Sequence, residues 1–132
     1  MTPLQAAIER AQDQTFGHVD HIRLGWYLLR DSRDEEDAMA RVRDTLRAAS
    51  VRHHGEAGKY HETITCAFMR LIQAGRTALP STHTFSEFCL MFPELLRKDA
   101  LDPYYSRATL FSAEARFGWV EPDLRGLPPR AD

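Results

Sequence analysis

Apolar residues recur at steps of three and four in several separate stretches of this chain, and a capping residue stands before most of them. Side chains spaced this way share one face of a helix, whereas a strand needs alternation with period two. No pair of alternating segments flanks a tight turn, so the chain is committed to helices rather than sheet.

The stretches can be read one by one. Thr2-Pro3-Leu4-Gln5 sets a capping hydroxyl before a proline suited to the first helical turn, and predicts a short helix over about 3–13. Asp20 is expected to cap a helix that Ile22, Leu24, Trp26, Leu28 and Leu29 make apolar nearly all round. Ser32 with Glu35 fits a capping box for a helix over about 34–53, with Met39, Val42, Leu46 and Ala49 on its inner stripe.

Gly55-Glu56-Ala57-Gly58 interrupts the pattern. Tyr60, Ile64, Ala67, Phe68, Leu71 and Ile72 then mark a second strongly apolar helix, with Gly75 as its expected C-terminal cap. Thr84 with Glu87 predicts a further capping box, and Phe85, Phe88, Cys89 and Phe92 give that helix an aromatic inner face. Short pieces follow: helical turns between Ser106 and Phe117, then an extended proline-rich tail from Glu121 to Asp132. The expected fold is all-α: a single-domain antiparallel helical bundle over residues 1–132 with a tail of short helices and extended chain.

Composition narrows the function classes. A chain of 132 residues with 43% hydrophobic and 27% charged residues can bury a core without disulfides or metal staples. A net charge of -2, with arginines scattered through every segment, offers no field toward phosphate backbones or anionic lipid, so neither nucleic acid nor membrane is an expected partner. The start Met-Thr-Pro-Leu-Gln has no basic stretch leading into an apolar run, and nowhere do about 18 apolar residues follow one another. A cytoplasmic location is expected, with Cys66 and Cys89 as buried reduced thiols.

Six histidines are the candidates for chemistry. His21 shares a helical face with Leu24, Gly25 and Leu28, His53 continues the stripe through Leu46, and His61 aligns with Ile64, Thr65, Phe68 and Ile72. All three are expected to face inward. Short turns would make successive helices antiparallel and bring the three to one end of the bundle, with His18 and His54 close enough to join. Such a cluster suits a divalent metal, zinc or copper rather than iron or manganese, because few carboxylates accompany the imidazoles.

On that reading His18, His21, His53, His54 and His61 are ligands, and Glu62 is a general acid or base acting on a small organic substrate. The alternative is a histidine hydrogen-bond network without metal, in a non-catalytic module that holds a small ligand or a partner protein. His61-Glu62 lacks the second histidine that a zinc-protease helix requires, so spacing does not choose between them. His83, in a polar loop, is expected at the surface.

Several strings taken together are distinctive: Phe16-Gly17-His18-Val19-Asp20-His21, His53-His54-Gly55, Lys59-Tyr60-His61-Glu62-Thr63-Ile64-Thr65, Tyr104-Tyr105-Ser106 and Glu121-Pro122-Asp123-Leu124. In these the chain resembles a family of small bacterial proteins of uncharacterised function, over most of the stretch from Phe16 to Pro128. That family's pattern has a threonine before the first histidine and a tryptophan in the place of Phe68, so Gly17 and Phe68 depart from it. The resemblance implies a bacterial, cytosolic origin and brings no reaction or metal with it.

Overall fold

The structure, a computed structural model, describes residues Met1–Pro129, with only the backbone at Ala57. The fold is all-α, and among the described residues there is no strand. The chain divides into two compact units, Met1–Tyr60 and the part from His61 onward.

In the first unit α1 (Pro3–Arg10) packs on α2 (His18–Asp31), which packs on α3 (Glu35–His54); a 3-10 turn at Ala57–Lys59 lies against α3. The box at α1 forms as its residues dictate: Thr2 Oγ1 accepts from the Gln5 amide at 3.1 Å and Gln5 Oε1 from the Thr2 amide at 2.8 Å. The other two starts differ from expectation. Gly17 rather than Asp20 caps α2, and Asp20, in its first turn, accepts from the Gly17 amide at 2.9 Å. Asp34 rather than Ser32 caps α3, accepting from the Asp37 amide at 2.7 Å.

An acid inside the first turn serves a helix start as well as one at the cap, Asp20 taking the amide of the cap residue and Asp34 the amide three residues on, and sequence spacing does not separate the two. Gly55 closes α3 in the left-handed region at φ 76°, with its amide donating to Val51 O at 2.8 Å. Ile22, Leu24, Trp26, Leu28, Ala38 and Val42 are buried.

The second unit is built on α4 (Glu62–Ala78), followed by α5 (Phe85–Met91), a 3-10 turn at Pro93–Leu96, and the short helices α6 (Arg107–Leu110) and α7 (Ala113–Phe117). Thr84 and Glu87 form the expected capping box of α5. Gly75 does not end α4, which runs on to Ala78. It is a site of close approach instead: a Cβ there would lie 2.8 Å from Phe88 Cε2 and 3.1 Å from Phe92 Cδ2, so glycine lets both rings press onto the helix.

Hydrogen bonds fasten the tail. Thr63, fully buried, donates its hydroxyl to Gly118 O at 2.7 Å and accepts from the Val120 amide at 3.1 Å. Tyr105 donates its hydroxyl to Val120 O at 2.7 Å, and the Leu124 amide donates to Tyr104 O at 3.0 Å. Burial, then the nearby Glu121 carboxylate, push the Tyr105 phenol up to about 12, so it stays a donor at neutral pH. Arg130–Asp132, the end of the expected extended tail, lie outside the described residues.

Candidate functional site

His18 opens α2 and is half-buried. His21, one turn on, is exposed to solvent rather than turned inward, with one side of its ring lying tilted on Phe16 at 4.3 Å between centroids. Its face is the expected one, since Leu24, Gly25 and Leu28 on the same stripe are buried. Spacing sets the direction of a side chain, but how far along the helix the covering layer extends is a tertiary matter. Crowding of the ring, reinforced by His18 and opposed by Asp20, pulls its pKa down to about 4. More than a third of the residue nonetheless faces water, which screens most of the consequence for stability.

His53, half-buried near the end of α3, donates from Nε2 to Ala11 O at 2.9 Å, which satisfies a carbonyl just beyond α1. His54 is exposed as the last residue of α3. Their unit therefore holds His18, His21, His53 and His54, while His61 and Glu62 open the second.

His61 does something that helical spacing did not suggest. It is the N-cap of α4: Nδ1 accepts from the Ile64 amide at 3.1 Å, and Nε2 lies 2.7 Å from Leu110 O, the last residue of α6. A carbonyl only accepts and an amide only donates, so these partners select the neutral tautomer with the proton on Nε2. Both ring nitrogens are thereby engaged by backbone, and the lone pair that a metal would need is directed at Ile64.

Loss of solvation around the ring lowers its pKa; the bond to Leu110 O opposes that shift and Arg116 adds to it. Glu62 is half-buried, and its Oε2 accepts from the Cys66 thiol at 3.3 Å. Among the described residues, no group of three or more His, Cys, Asp or Glu side chains is placed to hold a metal ion.

His83 also departs from expectation, being buried rather than at the surface. It donates from Nδ1 to Pro80 O at 2.6 Å and stacks near Phe88. The loop is polar in sequence, but the ring stacks on Phe88, which itself meets Phe85 and Phe92.

A concave feature of the second unit lies elsewhere. A cleft of about 530 Å³ is floored by Leu71, Ala74, Gly75, Phe92 and Leu95, and lies along α4 and the Pro93–Leu96 turn. Its rim is charged: Glu94, Arg97, Asp99 and Asp102 on one stretch of chain, Arg125 on the tail, with Tyr104 beside them. Arg97 is held by Asp99 at 2.8 Å and drawn also by Asp102, which raises its pKa further. Arg125 lies over the Tyr104 ring at 5.0 Å, positioned there by the Leu124–Tyr104 backbone bond.

None of these rim residues stood out in the sequence. The only signals were the prolines at 93 and 103 and the adjacent tyrosines, which mark irregular backbone without saying that it encloses a space. No helix among the described residues is long and apolar enough to cross a membrane. No family model, curated protein or solved structure matches the chain.

Proposed function

We propose that this chain is a non-catalytic small-ligand-binding module whose site is the cleft along α4 and the Pro93–Leu96 turn. The observation that carries this reading is the cleft itself: about 530 Å³ of concave space with an apolar floor and a charged rim. Small-molecule sites combine an apolar lining with a few orienting polar groups in volumes of roughly 300–1,000 Å³. Among the described residues its lining contains neither histidine nor cysteine nor serine, so it offers no imidazole base and no thiol or serine hydroxyl as nucleophile. The carboxylate of Glu62, the residue best placed in sequence for acid or base work, takes a hydrogen bond from Cys66 and does not line the cleft.

Amide chemical shifts followed during a small-fragment screen test the reading. Shifts clustered at Leu71, Ala74, Gly75 and Leu95 are expected, and Ala74→Trp, which fills the floor from a half-buried position, should abolish them with the helical circular dichroism retained. Hits whose shifts lie away from these residues, or that bind Ala74→Trp unchanged, would overturn it.

A further inference from the structure

The charges around the cleft narrow the chemistry of what it accepts, an inference that rests on the cleft being a ligand site. Three carboxylates and two guanidinium groups line the rim. Arg97 and Asp99 satisfy one another at 2.8 Å. Arg125 is engaged by the Tyr104 ring and, among the described residues, by no carboxylate. Its guanidinium therefore keeps its donors available while stacking holds the plane in place, which reduces the ordering that binding an anion would demand. Glu94 forms no ion pair among the described residues, and Asp102, although it draws on Arg97 at longer range, forms none either, because the close partner of Arg97 is Asp99; two acceptors are left around the same space. A purely anionic ligand would meet those two carboxylates, and a purely cationic one would meet Arg125.

We propose that the cleft takes a small zwitterion with an apolar body, the chemistry of a hydrophobic amino acid. The apolar group would lie on Leu71, Phe92 and Leu95, the carboxylate on Arg125, and the ammonium toward Glu94 and Asp102. Arg–carboxylate pairing supplies the more directional contact, because two parallel N–H···O bonds fix the orientation of the carboxylate.

Four probes sharing one phenyl group separate the possibilities: phenylalanine, 3-phenylpropionate without the ammonium, 2-phenylethylamine without the carboxylate, and 2-phenylethanol with neither. Binding is read from amide shifts and calorimetry on the full chain at low salt. Phenylalanine is expected to bind about fivefold to tenfold more tightly than either singly charged probe, the span set by one charge-assisted contact at an exposed rim. Arg125→Gln should weaken phenylalanine binding and remove its advantage over the amine, while amine binding is kept or tightened because a like charge has gone. Glu94→Gln combined with Asp102→Asn should do the converse, removing the advantage over the carboxylate.

If all four probes bind the cleft equally, or Arg125→Gln leaves phenylalanine binding unaltered, the zwitterion assignment fails while the cleft stands. Tighter binding of one singly charged probe than of phenylalanine also overturns it. If none of the four moves a cleft resonance and the fragment screen is equally silent there, the ligand-site reading itself fails.

Discussion

Replacing His61 separates its two roles. In His61→Ala the Ile64 amide loses its side-chain cap, which costs about 1 kcal/mol, and Leu110 O loses a hydrogen bond worth about 1 kcal/mol more. The total is about 2 kcal/mol. Asn at this position can still cap the helix but is too short to reach Leu110, so His61→Asn should lose only about 1 kcal/mol. For a chain of this size, about 4 °C of melting temperature accompanies each kcal/mol, giving drops of about 8 °C and about 4 °C.

Proton linkage provides a second readout. Because the folded pKa of His61 lies below the ordinary 6.5, the unfolded chain takes up the proton first as pH falls. Its contribution is complete above about pH 6.5 and is lost as pH drops through the folded value. His21 pulls in the same direction, so removing His61 should flatten the stability curve below about pH 6.5 without making it level. Urea denaturation of wild type and both variants across that range is the assay. Equal losses in the Ala and Asn variants would refute the cap, and an unchanged pH slope would refute the neutral ring.

Further outcomes follow from the same geometry. Gly75→Ala should destabilise the protein by about 1–2 kcal/mol in thermal melts despite alanine's higher helix propensity, because the new Cβ would sit 2.8 Å from the buried Phe88 ring; a stabilised variant would mean that the rings move aside freely. Thr63→Val keeps the shape but strands Gly118 O and the Val120 amide, and should cost about 2 kcal/mol while speeding limited proteolysis near Trp119 and Val120. His61 should not ligate zinc or copper, since both its nitrogens are already engaged, so any metal that elemental analysis finds in protein purified without a histidine tag should be retained in His61→Ala; bound metal that disappears in His61→Ala would reverse that conclusion.

Much of the architecture could be read from local pattern, because a helix is a local object. The boxes of Thr2 with Gln5 and Thr84 with Glu87 formed as written, and the stripes through Leu24, Leu28, Val42, Ala67 and Ile72 are buried. Those features depend on residues three or four apart, whose relation the helix itself sets. Local pattern did not show which partner each histidine would meet. His61 finds Leu110 O across 49 positions and His53 finds Ala11 O across 42. His21 keeps its predicted face but stays exposed, and His83 leaves a polar loop to pack on Phe88.

The cleft was the least legible feature. Its floor comes from α4 and the 3-10 turn, while Arg125 reaches it from the tail, next to the Leu124 amide that donates to Tyr104 O. Identity and spacing dictate what a residue can offer: a donor, an acceptor, a ring or a charge. Which of those offers is taken up depends on carbonyls, amides and rings that only the folded chain brings within about 3 Å, the range over which a hydrogen bond acts.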